Sequence, residues 1–580
     1  MLTRIVQQLL MTITITMTAA FIGLSGTSFA VQYVKAPPLT EVVNAQIQNV
    51  KDGGAVRLPL ITWGGDIATI LANGNSKSTA AGSIFAKQNL KFELTRTDDF
   101  GQQVKAYMEG ETPYLRGTLG MINMASELLN RDPRTKPVII YQMTWSNGGD
   151  CLVVKSGINS AKDLKGKTIA LQAYGPHVDY LAKLLRDAGL KMSDVTIKWV
   201  KDLTGTDNTP AEALYTKDID AAMMIIPDGL MLTSNGSVGT GAEGSIKGAK
   251  IMLSTKSANR IIADVYAVRS DYFTAHKKEV QNFVHGLLLA EQDVKALFKD
   301  KQARLADYKK TVTAAAEILL DSASATADAE ALYGDCEYVG FQGNVKFFTD
   351  TNWPRNLHRL SDEVQTSFIT GGLLSRKMPL QPAGWDYNAF RKGLSGVDEV
   401  ETPKFNIEAV AQVVARKQNL GTLAEGELFS FEVFFKPNQN TFSPDQYSDA
   451  FAKVVDLAST YGGAVIIVEG HSDPMGYLRK IKEKASDIVL TRTKQAAKNL
   501  SLTRAIAVRD SIMAYSAEKS VNLDPSQFTV MGHGIMQPST GMCGQLPCAP
   551  KSKEAWLSNM RVVFRIIQIE AEEEAFIPLD

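Results

Sequence analysis

Two charged side chains toward the C-terminal end of the chain stand where they can meet the opposite charges of one ligand. Val465-Ile466-Ile467-Val468 runs through Glu469 into Gly470. Four consecutive β-branched residues read as a buried strand, which releases His471, Ser472 and Asp473 into a loop. Asp473 is thereby placed to receive an ammonium group. Further on, Ser501 precedes the periodic apolar run Leu502, Ala505, Val508, Ile512 and Met513. That pattern predicts a helix N-capped by Ser501, with Arg504 in its first turn. A cation at the positive end of a helix dipole is disfavoured unless an anion binds there, and guanidinium grips carboxylate bidentately. Offered together, the carboxylate and the guanidinium suit a zwitterion. The plainer alternative is a surface Asp and a helix-start Arg joined in a salt bridge.

Four motifs occur in order: Glu469-Gly470-His471-Ser472-Asp473, Leu500-Ser501-Leu502-Thr503-Arg504-Ala505, Gly532-His533-Gly534 and Asn559-Met560-Arg561-Val562. Together they resemble the signature of OmpA-like peptidoglycan-binding domains. The resemblance implies that the ligand is the diaminopimelate of a peptidoglycan stem peptide and that the contact set is His471, Asp473, Ser501, Arg504, Asn559 and Arg561. Asp473 and Arg504 are 31 positions apart (504 − 473), farther than in that family, which marks an insertion over 477–498. The insertion is basic, with Arg479, Lys480, Lys482, Lys484, Arg492, Lys494 and Lys498 against Glu483 and Asp487. Two further departures bear on the strength of wall binding. The family's loop Asn has no match where Ala497 stands, and Met560 replaces an Arg.

The elements that position these groups belong to a long, exported chain. Arg4, an apolar and Thr-rich run over 9–24, and Ser28-Phe29-Ala30 read as a secretory signal peptide over residues 1–30. No cysteine lies near Ala30, so no lipid anchor is expected, and no later stretch has the roughly eighteen apolar residues of a membrane span. Sixty-two Lys and Arg balance sixty-two Asp and Glu, so no global charge draws the chain to nucleic acid. Four cysteines suit an oxidising compartment. Cys543 and Cys548 are expected to staple a Gly/Pro-rich loop, while Cys151 and Cys336 are a candidate second bridge. Their spacing fits no zinc site, and no metal is expected.

Upstream, apolar strand-like runs alternate with helical ones over 56–395, an α/β pattern. Examples are Leu58–Trp63, Val138–Tyr141, Cys151–Val154 and Ala221–Ile226. The segment Asp163-Leu164-Lys165-Gly166-Lys167-Thr168-Ile169-Ala170 with Tyr174-Gly175-Pro176, the strand entry Asp218-Ile219-Asp220-Ala221-Ala222 and the return strand Ala263–Val268 resemble type II periplasmic solute-binding proteins. The branch resembled serves nitrate, sulfonates, taurine and thiamine-precursor pyrimidines. It implies two lobes, 56–150 with 255–395 and 151–254, hinged near Gly149-Asp150 and Ser254-Thr255 and closing on a solute. Residues 31–55 then form an N-terminal extension, 396–426 a flexible linker, 427–570 a smaller α/β OmpA-like domain, and 571–580 an acidic tail.

Ligands of two-lobed proteins touch loops at the carboxyl ends of strands. The candidate solute contacts are therefore Trp63, Gly64, Asp66, Asp98, Thr118, Gln142, Tyr174, Gly175, His177 and Asp228. Gly64 lets backbone approach a ligand, Trp63 supplies an aromatic wall, and a helix opened by Pro176 suits an anionic group. Yet Asp66, Asp98, Asp99 and Asp228 outnumber the one basic residue nearby, Arg116, which leans toward an amine-bearing solute unless these acids are helix caps. No Ser-His-Asp, HExxH, Walker or GxGxxG pattern occurs in suitable context, so no enzyme and no cofactor are expected.

The function that follows is a periplasmic solute-binding protein held at peptidoglycan and serving an ABC permease. The alternatives are a wall-anchored structural or sensory protein, which the genes beside this one would distinguish, and an enzyme of thiamine-pyrimidine type.

Overall fold

In a computed structural model the described residues are 31–568, apart from 52, 399–404, 421–426, 436–438, 440, 441 and 443. The signal peptide expected over 1–30 and the acidic tail expected over 571–580 lie outside them.

The chain opens into two mixed α/β units. In the first, β1 (Val56–Leu60) and β2 (Phe92–Arg96) pair in parallel, with α1 (Asp66–Ala72) between them. Next come β3 (Tyr114–Thr118), α2 (Leu119–Leu129) and the ten-residue β4 (Pro137–Ser146). Every residue of β4 is buried, which is why Val138–Tyr141 reads as an unbroken apolar run. The chain then crosses into a second sheet of β5 (Asp150–Val154), β6 (Thr168–Gln172), β7 (Thr196–Val200), β8 (Ala221–Ile225) and β9 (Lys250–Ser254), with α3 (Val178–Asp187) after β6. The order is β7-β6-β8-β5-β9, and Tyr33–Val34 adds to its β7 edge, so the N-terminal extension is part of this sheet. The chain crosses back into β10 (Ala263–Arg269), which lies between β3 and β4, and the long helix α4 (Lys277–Lys299) follows.

The two crossings are sewn together. Ser146 Oγ donates to Asp150 Oδ2 at 2.6 Å and lies 2.7 Å from Thr255 Oγ1, and Thr255 N donates to the Asp150 carbonyl at 2.8 Å. All three side chains are buried, so each of these polar groups depends on its protein partner.

The third unit has a four-stranded sheet, β11 (Glu427–Phe434), β12 (Val465–His471), β13 (Phe528–Gly534) and β14 (Arg561–Ile567), in the order β11-β14-β12-β13 with only β12 and β13 parallel. Two helices, α6 (Pro444–Thr460) and α8 (Asp487–Glu518), cover one face. The segment expected to be a flexible linker instead contains α5 (Ile407–Leu420), whose Val410, Val413 and Val414 pack with Phe405 on Val465, Ile467 and Ile567 of the opposite face. This explains the β-branched run of β12. Both faces are covered, Val465 to Val468 are at most 1 % exposed, and each such burial is worth about 1.5–3 kcal/mol. The strand β11 lies at the sheet edge, with Phe434 exposed.

This third unit docks on the other two. Asp456 Oδ2 accepts from Lys183 Nζ of α3 at 2.8 Å, Tyr461 Oη donates to Asp187 at 2.8 Å, and Gly463 N donates to the Ser257 carbonyl at 3.1 Å. Arg260 N donates to the Thr460 carbonyl at 3.2 Å. The docking contact therefore falls on the return crossing between the first two sheets.

Candidate functional site

Asp473 and Arg504 reach one region of the third unit, but not by the expected local route. Ser501 is not an N-cap. The insertion folds into α7 (Met475–Lys482) and the first turns of α8, which begins after Ser486 and runs on through Ser501 and Arg504. Ser501 Oγ donates back to the Lys498 carbonyl at 2.8 Å and accepts from Gly534 N at 2.9 Å. Arg504 is thus mid-helix, and the argument from the helix dipole does not apply to it.

Tight packing joins the end of β12 to this stretch of helix. A Cβ on Gly470 would meet the Ser501 carbonyl oxygen at 1.9 Å, so only glycine lets strand and helix approach this closely. Ser472 Oγ donates to the Ala497 carbonyl at 3.1 Å. Asp473 Oδ2 accepts from Met475 N at 3.0 Å, while Asp473 Oδ1 and Arg504 Nε are buried with no hydrogen-bond partner. Burial raises the Asp473 carboxyl, offset in part by the Trp556 side chain, and burial alone lowers Arg504. No ion pair between the two is present among the described residues, so the salt-bridge alternative is not what forms.

The other expected members serve the scaffold around them. Asn559 Oδ1 accepts from Thr540 N at 3.2 Å, and Arg561 Nε donates to Glu432 at 2.9 Å. His471 is 2 % exposed and stacks on His533 with ring centroids 5.0 Å apart. Burial, with help from Arg561 and His533, pushes its imidazole down to about 3. Cys543 and Cys548 form the expected disulfide in the neighbouring loop.

Most of the expected solute contacts already have protein partners. Asp66 is fully buried against Arg116 Nε at 3.1 Å, and the same guanidinium reaches Asp264 at 2.8 Å. Burial still lifts Asp66 to about 6, but Arg116 already supplies its counter-charge. Asp98 accepts from Thr62 N at 2.6 Å and Thr62 Oγ1 at 2.9 Å, and Asp99 caps the helix Phe100–Met108. Asp228 sits in the first turn of the helix Ile226–Leu232. Asp66 is ion-paired, Asp98 is hydrogen-bonded, Asp99 caps a helix and Asp228 lies in a first helical turn, which weakens the charge count that favoured an amine.

Gly64 faces protein: a Cβ there would meet the Leu332 carbonyl oxygen at 1.9 Å. Trp63 Nε1 donates to Thr144 at 2.9 Å, Thr118 caps α2, and Tyr174 Oη donates to the Pro37 carbonyl at 2.7 Å. Gly175 follows Tyr174 in that loop and makes its turn against Gln172. Gln142 is buried with both side-chain amide atoms unpartnered. His177 precedes α3 rather than opening it, and its Nε2 lies 2.7 Å from Asp150 Oδ1, which ties α3 to the first crossing.

Cys151 and Cys336 remain thiols. Cys151 is on β5 of the second sheet, Cys336 on a short strand beside β4 of the first, so the second bridge does not form.

Where the first two units meet, the acids are ones the sequence did not single out. Asp179 at the start of α3 fills the space a Cβ on Gly120 would take, at 2.5 Å. Burial raises Asp179 to about 8, and burial with the Asp150 charge raises Asp335 to about 6. Only tertiary packing reveals them, because each lies in an ordinary helix-end sequence.

Residues 85–296 match a family model described as NMT1/THI5 like. Among solved structures the chain is similar to the periplasmic aliphatic sulphonate binding protein SsuA from Escherichia coli, with 15 % identity, TM-score 0.40, and 56 % of this chain and 96 % of that one covered. It is also similar to the alkanesulfonate-binding protein SsuA from Xanthomonas axonopodis pv. citri bound to MOPS, with 14 % identity, TM-score 0.38, and 57 % and 97 % covered. A third similar structure is the desulfurization enzyme DSZB, with 17 % identity, TM-score 0.35, and 56 % and 95 % covered. No curated protein matches the chain.

Proposed function

We propose that this chain is a periplasmic solute-binding protein held at peptidoglycan by its C-terminal unit. The observation that carries the wall-binding half is the pair of unpartnered buried atoms, Asp473 Oδ1 and Arg504 Nε, on two elements locked together at Gly470. A buried charge without a partner is costly. An ammonium against Asp473 and a carboxylate against Arg504 offset both costs at once, and the zwitterionic end of diaminopimelate offers the two together. The solute-binding half is supported by the NMT1/THI5-like match over 85–296, which covers strands of both N-terminal sheets and their two crossings. The solute is small and is delivered to an ABC permease. With the acids spent on Arg116 and on helix starts, nothing in the contact set selects an amine.

Co-sedimentation of the full mature chain with purified sacculi tests this. Wild type should pellet, and Asp473→Ala and Arg504→Ala, folded by circular dichroism, should stay in the supernatant. Equal pelleting of all three would remove the wall-binding half.

A second reading, a wall-anchored sensor, is favoured by one contact: the C-terminal unit grips the Ser257–Arg260 crossing. A solute that shifts this crossing would then change how the C-terminal unit sits. Thermal-shift screening of sulfonates, nitrate and pyrimidines, followed by scattering with and without the hit, separates the two readings.

A further inference from the structure

We infer that the C-terminal unit contains a binding site for a divalent transition-metal ion of the zinc type, built from Glu469, His471 and His533. Glu469 and His471 are two apart on β12 and so point to the same face, and His533 stands on the adjacent parallel strand β13. That face is the one α5 covers. One donor atom from each of the three lies within 4.8 Å of the others. Glu469 Oε2 is 3.7 Å from His533 Nε2 and 4.0 Å from His471 Nε2. Four ligands around zinc with bonds of about 2.0–2.1 Å stand about 3.3 Å apart. The two rings are stacked at 16°, so one of them turns about its Cβ–Cγ bond for both lone pairs to meet a single ion.

Three features point to a ligand rather than to a self-contained polar cluster. Apart from an approach of the His471 ring to the Gln537 backbone, the ring nitrogens of His471 and Nε2 of His533 are buried without a hydrogen-bond partner, in residues only 2 % and 5 % exposed. Buried imidazole nitrogens are ordinarily paired. Two imidazoles with one carboxylate are also a donor set that zinc takes with a fourth position open. Finally, the supports such a shell needs are present. Arg565 donates to Glu469 Oε1 at 3.1 Å and Oε2 at 3.2 Å, which fixes the carboxylate and leaves one lone pair of Oε2 toward the rings. Gln418 Nε2 lies 3.2 Å from His533 Nδ1, and a half-turn of that amide brings its oxygen there to accept the N–H of a ring bound through Nε2. A cavity of about 700 Å³, lined by Glu469, His471, Gln537 and Arg561 among others, gives access and room for a water at the fourth position. The neighbouring Arg561 and Arg565 charges oppose a cation, but both are paired, Arg561 to Glu432 and Arg565 to Glu427 and Glu469.

Calorimetric titration of the full mature chain, stripped with chelator, with zinc chloride tests the site. The expected result is one zinc per chain, a rise in melting temperature on loading, and binding at least ten-fold weaker in His471→Gln and in His533→Gln. Cobalt(II) loading should give the visible bands of a four-coordinate site, lost in the same variants. If the wild-type chain takes up no stoichiometric zinc, the site is refuted without recourse to variants. Undiminished binding by the folded double variant would place the ion on other residues and refute it equally.

Discussion

Replacing Lys183 with Met should detach the C-terminal unit. Lys183 is 2 % exposed, and its ammonium sits 2.8 Å from Asp187 and from Asp456 and 3.8 Å from Glu363. Burial pulls the ammonium down, but the three carboxylates outweigh it and hold the group above its ordinary value. In the Lys183→Met variant those carboxylates would keep only Arg355, 3.3 Å from Glu363, as a buried counter-charge. Breaking a buried pair by removing one partner costs about 3–5 kcal/mol. The Asp456 side chain is 37 % exposed, so water can screen part of the loss, which places the expected cost near about 3 kcal/mol. Asp187 is on α3 and Asp456 on α6, so this energy is drawn from docking as much as from folding. Denaturant unfolding of the mature chain should show an earlier transition for the C-terminal unit. Lys183→Met with Asp456→Asn should recover most of the loss, because one uncompensated charge is gone. A loss below about 1 kcal/mol, the range of an exposed pair, or a double variant no better than the single one, would show that Lys183 does not hold the two units together.

Asp179, ordinarily near 3.8 and raised by burial to about 8, stays protonated in the folded chain where the unfolded chain has lost its proton. Its contribution is therefore full below about pH 4 and falls away as pH rises to about 8, and Asp179→Asn should flatten that slope and stabilise the chain at pH 8 by several kcal/mol, on the order of 1.4 per pH unit. An unchanged melting temperature against pH would contradict this. Gly463→Ala should loosen docking, since its Cβ would meet the Lys256 carbonyl oxygen at 1.8 Å, and small-angle scattering should report a larger radius of gyration. Cys543→Ser with Cys548→Ser should cost about 2 kcal/mol, as expected for so short a closed loop, measured by thermal unfolding against wild type.

Much of the strand layout was legible because burial on both faces writes itself as continuous apolar sequence: Val138–Tyr141, Cys151–Val154 and Val465–Val468 are all strands. The emergence of Asp473 just past the strand end was legible for the same reason. The cap at Ser501 was misread because Ser is favoured at N-caps, yet Leu490 to Leu500 holds good helix formers and no Gly or Pro to stop a helix arriving from upstream. Serine within a helix then bonds back to the preceding turn, as Ser501 does to Lys498. The use of Asp66 was not legible, because its partner Arg116 is fifty positions away and only the packing of β3 beside α1 brings them together. The docking role of α6, and the clustering of Glu469 with His533, depend in the same way on tertiary placement.

The most direct test of the central proposal is calorimetric titration of the full mature chain with meso-diaminopimelate, alongside lysine and an analogue amidated at the terminal carboxylate. Binding of diaminopimelate alone is predicted, lost in Asp473→Asn and in Arg504→Gln, because one charge of the zwitterion meets each side chain. Equal binding of all three compounds, or diaminopimelate binding that survives both substitutions, would contradict it.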